Sequence, residues 1–427
     1  MYHSKELIEK TLEAEDKKGD FDESTATEEW KKAQMEKGAE SEVDPNEKPA
    51  LETLINLDDF ERAFQKIGAP KSWAYISGGS NDLLSLQANA SYWQKLWFRP
   101  RIMRNVKDIN TKTRMMGCDF AMPVMISPMG IAKTAGEEGE LALGAGAAAG
   151  GIVHCQSTSA SYGVEDMLAS VPKMYPYFFQ LYVDRNRPKT EELLHKIEKM
   201  DQIKALFVTV DLPVVSKREA DERIRDIQAK VSVYHGPGVF TKPDKRGGGL
   251  ARTTGSFIEW QLSWDDIPWL KKHSSLPIVI KGIQTAEDAK IALQMGCAGI
   301  VVTNHGGRAL DGAPGTVLVL LEIRRDCPEV FDKMEVYVDG GIRRGSDVVK
   351  AICLGARGVG VGRPFQCAVA YGTEGVTSVC ESKCSRHILQ RYFIKLTECS
   401  PPRRDRDSYA FVRHHRSQQG SRRHVLS

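Results

Sequence analysis

Polar and ionisable residues recur in this sequence directly behind short apolar runs. "GIVVTNHGGR" sets His305 and Arg308 three apart on a glycine turn. "ALFVTVD" closes on Thr209 and Asp211, "PIVIKGI" holds Lys281, and "YFFQLYV" carries Gln180 and Tyr182. "GIVHCQS" stops at Ser157, "EVYVDGG" at Asp339 with Gly340 and Gly341, and "GVGVGRP" at Gly362 and Arg363. Any one of these has a plainer explanation. A histidine at a strand end is commonly structural, and Asp-Gly-Gly is commonly a turn. Their joint occurrence on nearly every run points to one site with catalytic groups. A second chemistry is legible beside it. In "DGGIRRG" followed by "GVGVGRP", glycines let backbone N–H groups approach an anion, and Arg343 and Arg363 add charge-assisted hydrogen bonds. That pattern suggests phosphate, on a nucleotide-type cofactor or on a phosphorylated substrate.

The elements that must carry these residues follow from the pattern. Eight apolar, β-branched runs, from "PVMISPM" to "GVGVGRP", alternate with segments of helical type such as "PKTEELLHKIEKM" and "TAEDAKIALQMG". Such alternation implies parallel strands buried on both faces. Eight units close a (β/α)8 TIM barrel, whose strand C-termini converge on one mouth and whose phosphate site lies after strands seven and eight. An open doubly wound sheet is the alternative, and the count of eight favours the barrel. "LETLINLDDFERAFQKIGAP" has helical spacing and closes on Gly68 and Pro70, giving the barrel an N-terminal helical extension. The fourth and fifth runs are separated by a long insertion, 212–276, containing "HGPGVFTKPDKRGGGLARTTG". It reads as a lid over the mouth or as a surface insertion.

Composition bounds the rest. With 427 residues, 41% hydrophobic and 27% charged, the chain has ordinary globular chemistry, and a net charge of +3 does not point to nucleic acid. No apolar run approaches the roughly 18–20 residues of a membrane helix, and "MYHSKELIEK" lacks the apolar core of a secretory signal. Nine scattered cysteines suggest reduced thiols in a soluble intracellular protein, cytoplasmic or mitochondrial. "GAGAAAG" lacks the strand and the spacing of a dinucleotide loop and reads as a close-packed helix. "CESKCSRH" has no second ligand pair, so no metal is expected.

The motifs "SWAYISGGSND", "FQLYV", "TVDLPVVSKREAD", "LPIVIKG", "TNHGGRALD" and "DGGIRRGSDV", in this order, resemble the FMN-dependent L-2-hydroxy acid oxidase and dehydrogenase family over about residues 51–376. The resemblance implies roles. His305 is the base that takes a proton from the 2-hydroxy acid, and Asp211 holds its imidazole. Arg308 grips the substrate carboxylate, assisted by Arg218 and Tyr75. Tyr182 hydrogen-bonds the reacting oxygen. Lys281 lies beside the flavin, and Ser157, Gln180 and Thr209 bind its ring. Asp339 matches the ribityl-binding residue, while Gly341, Arg343, Gly362 and Arg363 match the phosphate site. It implies FMN as cofactor, a cytochrome or oxygen as electron acceptor, and a homo-tetramer. Gly130 stands where an alanine is common near the flavin, which implies extra space there. Ser159 stands where the wall residue is commonly larger.

Both ends depart from the resemblance. Residues 1–50 are a charged linker resembling the last stretch of a cytochrome b5-type domain. The His-Pro-Gly-Gly haem motif is missing, so no haem is expected. Beyond Val376 the chain continues as an atypical basic tail, 377–427, resembling a frame change or retained intron that removes the closing helix of the barrel. The competing readings are a truncated inactive relic and another phosphate-binding TIM-barrel enzyme, such as an isomerase. The latter leaves His305, Arg308 and Asp211 without a role.

Overall fold

The computed structural model describes residue 27 and residues 47–99, 102, 103, 107, 110–224 and 249–381. All that follows concerns the second of two units, Lys48–Ser427. The helical extension forms as its pattern predicts. A helix spans Leu57–Ile67, where Asn56 and Asp59 make a reciprocal capping box, and Gly68 ends it. Pro70 then opens a second helix, Pro70–Ser77. A third spans Leu84–Gln94.

Two short strands precede the barrel. β1 (Thr113–Met115) and β2 (Cys118–Phe120) pair as a hairpin over Met116 and Gly117, both at positive φ. Left-handed turn residues match the twist of a two-residue hairpin. Eight parallel strands follow: β3 (Val124–Ile126), β4 (Val153–Ser157), β5 (Tyr177–Leu181), β6 (Ile203–Thr209), β7 (Ile278–Ile283), β8 (Gly299–Val302), β9 (Glu335–Asp339) and β10 (Gly358–Val361). They close in the order β10-β3-β4-β5-β6-β7-β8-β9. This is the (β/α)8 barrel, and its strands are the eight apolar runs.

Alternate residues along each strand face the barrel axis. One inward layer is apolar: Met125, Cys155, Phe178, Phe207, Val279, Val301 and Tyr337, closed from below by Met115 and Phe120 of the hairpin. Two residues further along come Ser127, Ser157, Gln180, Thr209, Lys281, Thr303 and Asp339, all buried. The change from apolar to polar over one step of the pleat marks where the packed core stops and the mouth begins.

The outer helices seal the other face of the strands. "GAGAAAG" lies in a helix, Gly139–Gly150, which packs so closely on the last described helix, Gly372–Glu381, that side chains on Gly146 and Gly150 would meet Val376 and Cys380. The expected boundary at 376 therefore falls inside a packed helix, whose Val376, Val379 and Cys380 are buried. The remainder of the basic tail lies outside the described residues. So does most of the Gly- and Lys-rich stretch between β6 and β7, 225–248. Its flanks are two short helices, Glu219–Arg223 and Leu250–Gly255.

Candidate active site

The mouth is built from neighbouring strand ends in register. Ser157 stands opposite Gln180 across β4 and β5, and Thr209 opposite Lys281 across β6 and β7. Ser157 Oγ donates to Gln180 Oε1 at 3.0 Å, and Gln180 Nε2 donates to Thr209 Oγ1 at 3.0 Å. Three of the expected cofactor residues thus form one continuous buried chain.

His305 follows β8 and sits at φ +59°, an uncommon conformation for a non-glycine residue. Thr303 Oγ1 holds the turn by accepting from His305 N at 2.9 Å. The turn brings His305 Nδ1 to 2.8 Å from Asp211 Oδ1. Ionised Asp211 only accepts, so Nδ1 carries the proton and Nε2 is left with its lone pair free to accept one. Tyr182 hydroxyl lies 3.3 Å from that Nε2, its ring stacked 6.5 Å from the imidazole. Lys281 Nζ lies 3.4 Å from Nδ1 and 3.8 Å from Asp211 Oδ2. Burial, reinforced by Lys281 and opposed by Asp211, pushes the His305 pKa down to about 4. The imidazole is therefore neutral at pH 7. Burial would raise the Asp211 carboxyl, but Lys281 and His305 outweigh it and keep it ionised. Burial holds the Tyr182 hydroxyl protonated.

The arginines gather round the end of Pro70–Ser77. Arg308 donates to Tyr75 O at 2.9 Å, to Gly78 O at 3.2 Å and to Ile76 O. Arg363 uses the same helix end, donating to Ile76 O at 3.2 Å and Gly78 O at 3.1 Å, and reaches Gly306 O at 2.7 Å. A helix C-terminus attracts cations because its last carbonyls lack partners. The guanidinium groups of Arg308 and Arg218 lie 5.6 and 5.9 Å from the centre of the Tyr75 ring. Burial first, then Arg363 and Arg218, depress the Arg308 pKa, and burial brings Arg363 down to about 10. Arg218 Nε is buried without a hydrogen-bond partner among the described residues. Arg343 is elsewhere, paired with Glu61 at 2.7 Å. Of the residues expected to bind anions, Arg308, Arg343 and Arg363 are all engaged by protein acceptors.

Asp339 accepts from Thr303 Oγ1, and Ser127 Oγ lies 3.5 Å away. Thr303 so links the His305 turn to Asp339, a role its place beside the histidine does not reveal. Gly341, at φ +80°, backs onto the main-chain carbonyl of Asn89, whereas at Gly362 an added Cβ would meet nothing nearer than 3.7 Å. A hydroxyl–amide chain, a buried lysine, a carboxylate and an open glycine suit a flavin ring and its polyol. The two expected phosphate arginines suit a phosphate only by leaving their present partners. Gly130 does not open space: a Cβ there would lie 2.9 Å from Ser159 O, so the glycine allows close approach of the β3 and β4 loops.

A closed barrel with a His–Asp pair at its mouth defines a barrel protein with a candidate acid–base site and does not by itself fix the reaction. The sequence narrows it. The family model described as FMN-dependent dehydrogenase matches residues 65–383, and the chain belongs to that family. L-lactate dehydrogenase (cytochrome) of Saccharomyces cerevisiae is 38% identical over 341 residues, 78% of this chain and 57% of that protein. Glycolate oxidase of Spinacia oleracea is 38% identical over 331 residues, covering 76% of this chain and 88% of its own. The chain thus spans just over half the length of its yeast relative. Among solved structures, the flavin-binding domain of baker's yeast flavocytochrome b2 superposes with a TM-score of 0.71 at 34% identity, covering 86% of this chain and 87% of that one. A mandelate oxidase with (S)-4-hydroxymandelic acid gives 0.73 at 31% identity, covering 79% and 94%.

Proposed function

We propose that this chain binds FMN and oxidises a small L-2-hydroxy acid, of the lactate or glycolate kind, to the 2-oxo acid. The observation that carries the reading is the neutral His305, held by ionised Asp211 at 2.8 Å, beside buried Lys281 and Arg218 and half-buried Arg308. A base beside a cluster of buried cations is what a substrate bearing both a carboxylate and an acidic hydrogen requires.

In this reading Ser157, Gln180, Thr209 and Lys281 hold the flavin ring, Asp339 its polyol, and Gly341, Gly362, Arg343 and Arg363 its phosphate. Bound FMN would supply the acceptor for the two electrons and for the one of the two protons that His305 does not take. Arg308 and Arg218 orient the substrate carboxylate, with the Tyr75 ring beside both. Arg308 makes that contact by exchanging a helix carbonyl for the carboxylate, a stronger acceptor because it is charged. His305 Nε2 accepts a proton from the substrate. The imidazolium so formed is stabilised by Asp211, and Tyr182 steadies the oxygen that becomes the ketone. Electrons pass on to a cytochrome or to oxygen.

The test is spectroscopic. Purified protein with FMN should show oxidised-flavin bands that bleach anaerobically on adding L-lactate, glycolate or (S)-mandelate. A protein that stays colourless with excess FMN contradicts the reading. Ferricytochrome c reduction against oxygen uptake then separates the two acceptors.

A further inference from the structure

We propose that Lys71 and Asp221 are positioning residues for substrate-carboxylate recognition, a buried ion pair that sets Tyr75 against Arg218. The inference rests on the proposed function and adds two residues to which the resemblance assigns no role.

The pair is deep. Lys71 Nζ lies 2.6 Å from Asp221 Oδ1, with the two side chains 3% and 0% exposed. Lys71 Nζ also donates to the Asp221 main-chain carbonyl, so the ammonium grips backbone as well as carboxylate. A buried ion pair is poor evidence for stability, because apolar groups of similar volume often serve the fold as well. Its bearing on the site is geometric: it ties together the two segments that carry it.

The carriers are the two segments that bear the mouth groups. Lys71 and Tyr75 both lie on Pro70–Ser77, four residues apart and so on one face. Arg218 caps the helix Glu219–Arg223, three residues before Asp221. The ion pair therefore fixes the approach of the Arg218 guanidinium to the Tyr75 ring, 5.9 Å, one turn further along the same face. The same helix presents the carbonyls of Tyr75, Ile76 and Gly78 to Arg308. A shift of Pro70–Ser77 thus moves Tyr75 and Arg308 relative to Arg218 together.

Asp221 has a second duty. Its Oδ2 accepts from Ala251 N at 3.2 Å, and its neighbour Glu222 pairs with Arg252 at 2.5 Å. The chain leaving for 225–248 and the chain returning from it are clipped to the same carboxylate that Lys71 holds. One buried charge pair thereby places the helix, the arginine segment and both flanks of the insertion.

The experiment compares Lys71→Met, Lys71→Arg and the double variant Lys71→Met/Asp221→Leu with the wild-type holoenzyme. Pyruvate is the carboxylate probe, its dissociation constant read from the flavin absorbance difference. FMN affinity is read from fluorescence, and kcat and KM with the acid that bleaches the wild type. Misplacement of a positioning group costs on the order of ten- to a hundredfold, so Lys71→Met should weaken pyruvate and raise KM by about that factor. FMN affinity should be unchanged, kcat should stay within about threefold, and Lys71→Arg should restore most of the loss. The double variant leaves no unpaired buried charge and decides between the outcomes if Lys71→Met does not fold. Unchanged pyruvate affinity in variants of an active wild type overturns this inference alone. FMN affinity and kcat falling in parallel with pyruvate affinity also overturns it, by showing general loosening. A wild type that takes up no FMN overturns the functional reading and this inference with it.

Discussion

Asp211→Asn isolates the charge behind the proposed base. Asparagine is nearly isosteric and can still accept from His305 Nδ1, so the 2.8 Å contact survives while the negative charge is lost. That charge has no use while His305 is neutral and a large one once His305 is protonated. Two unit charges about 4 Å apart attract by roughly 4 kcal/mol at an effective dielectric near 20. Losing that attraction in the protonated state alone slows the proton-transfer step by about a thousandfold. Lys281, 3.4 Å from Nδ1, also loses its counter-ion and adds to the penalty. The assay is anaerobic stopped-flow reduction of the bound flavin by the active L-2-hydroxy acid, with FMN content measured on the same sample. Reduction within threefold of the wild-type rate, at full FMN content, would refute the reasoning.

Three further predictions concern the scaffold. His154 is fully buried, neither ring nitrogen has a hydrogen-bond partner among the described residues, and burial pushes its pKa down to about 3. The unfolded chain takes up that proton below about pH 6.5, so stability is full above this value and lost as pH falls toward 3. At pH 4.5 the loss is about 3 kcal/mol, and His154→Leu should remove it. Urea midpoints at pH 7 and 4.5 check this; an unchanged acid slope in the variant contradicts it. Gly307→Ala places a Cβ at φ +79° and 2.6 Å from the Leu86 backbone, so it should destabilise by about 3 kcal/mol in urea titration. Val376→Asp buries a lone carboxylate against Gly139–Gly150 and should lower the thermal midpoint sharply, whereas Glu374→Gln, on the exposed side of the same helix, should not. Equal midpoints for the two would mean that the last helix does not close the barrel.

Strands and mouth are legible in the sequence for one physical reason. Parallel barrel strands are buried on both faces, so each shows as an apolar run, and the first polar inward residue marks its upper end. Ser157, Gln180, Thr209, Lys281 and Asp339 can therefore be picked out one by one, and Asp211 can be matched to His305 through the resemblance. The arginine partners cannot. Arg308 and Arg363 meet on carbonyls of Pro70–Ser77, more than two hundred residues away, and backbone acceptors leave no mark in side-chain identity. The β1–β2 hairpin escapes a sequence reading because three-residue strands carry almost no periodicity. Gly130 misleads for a related reason: a small residue reads as added space, yet here the Ser159 carbonyl fills it. Lys71 and Asp221 each look like an ordinary surface charge until the fold buries them together.

The central claim is that His305 is the base for a 2-hydroxy acid. The most direct measurement is single-turnover flavin reduction in His305→Gln. The variant should be a yellow protein with wild-type FMN affinity and pyruvate binding whose bands do not bleach over minutes with saturating acid. Bleaching at the wild-type rate would contradict it.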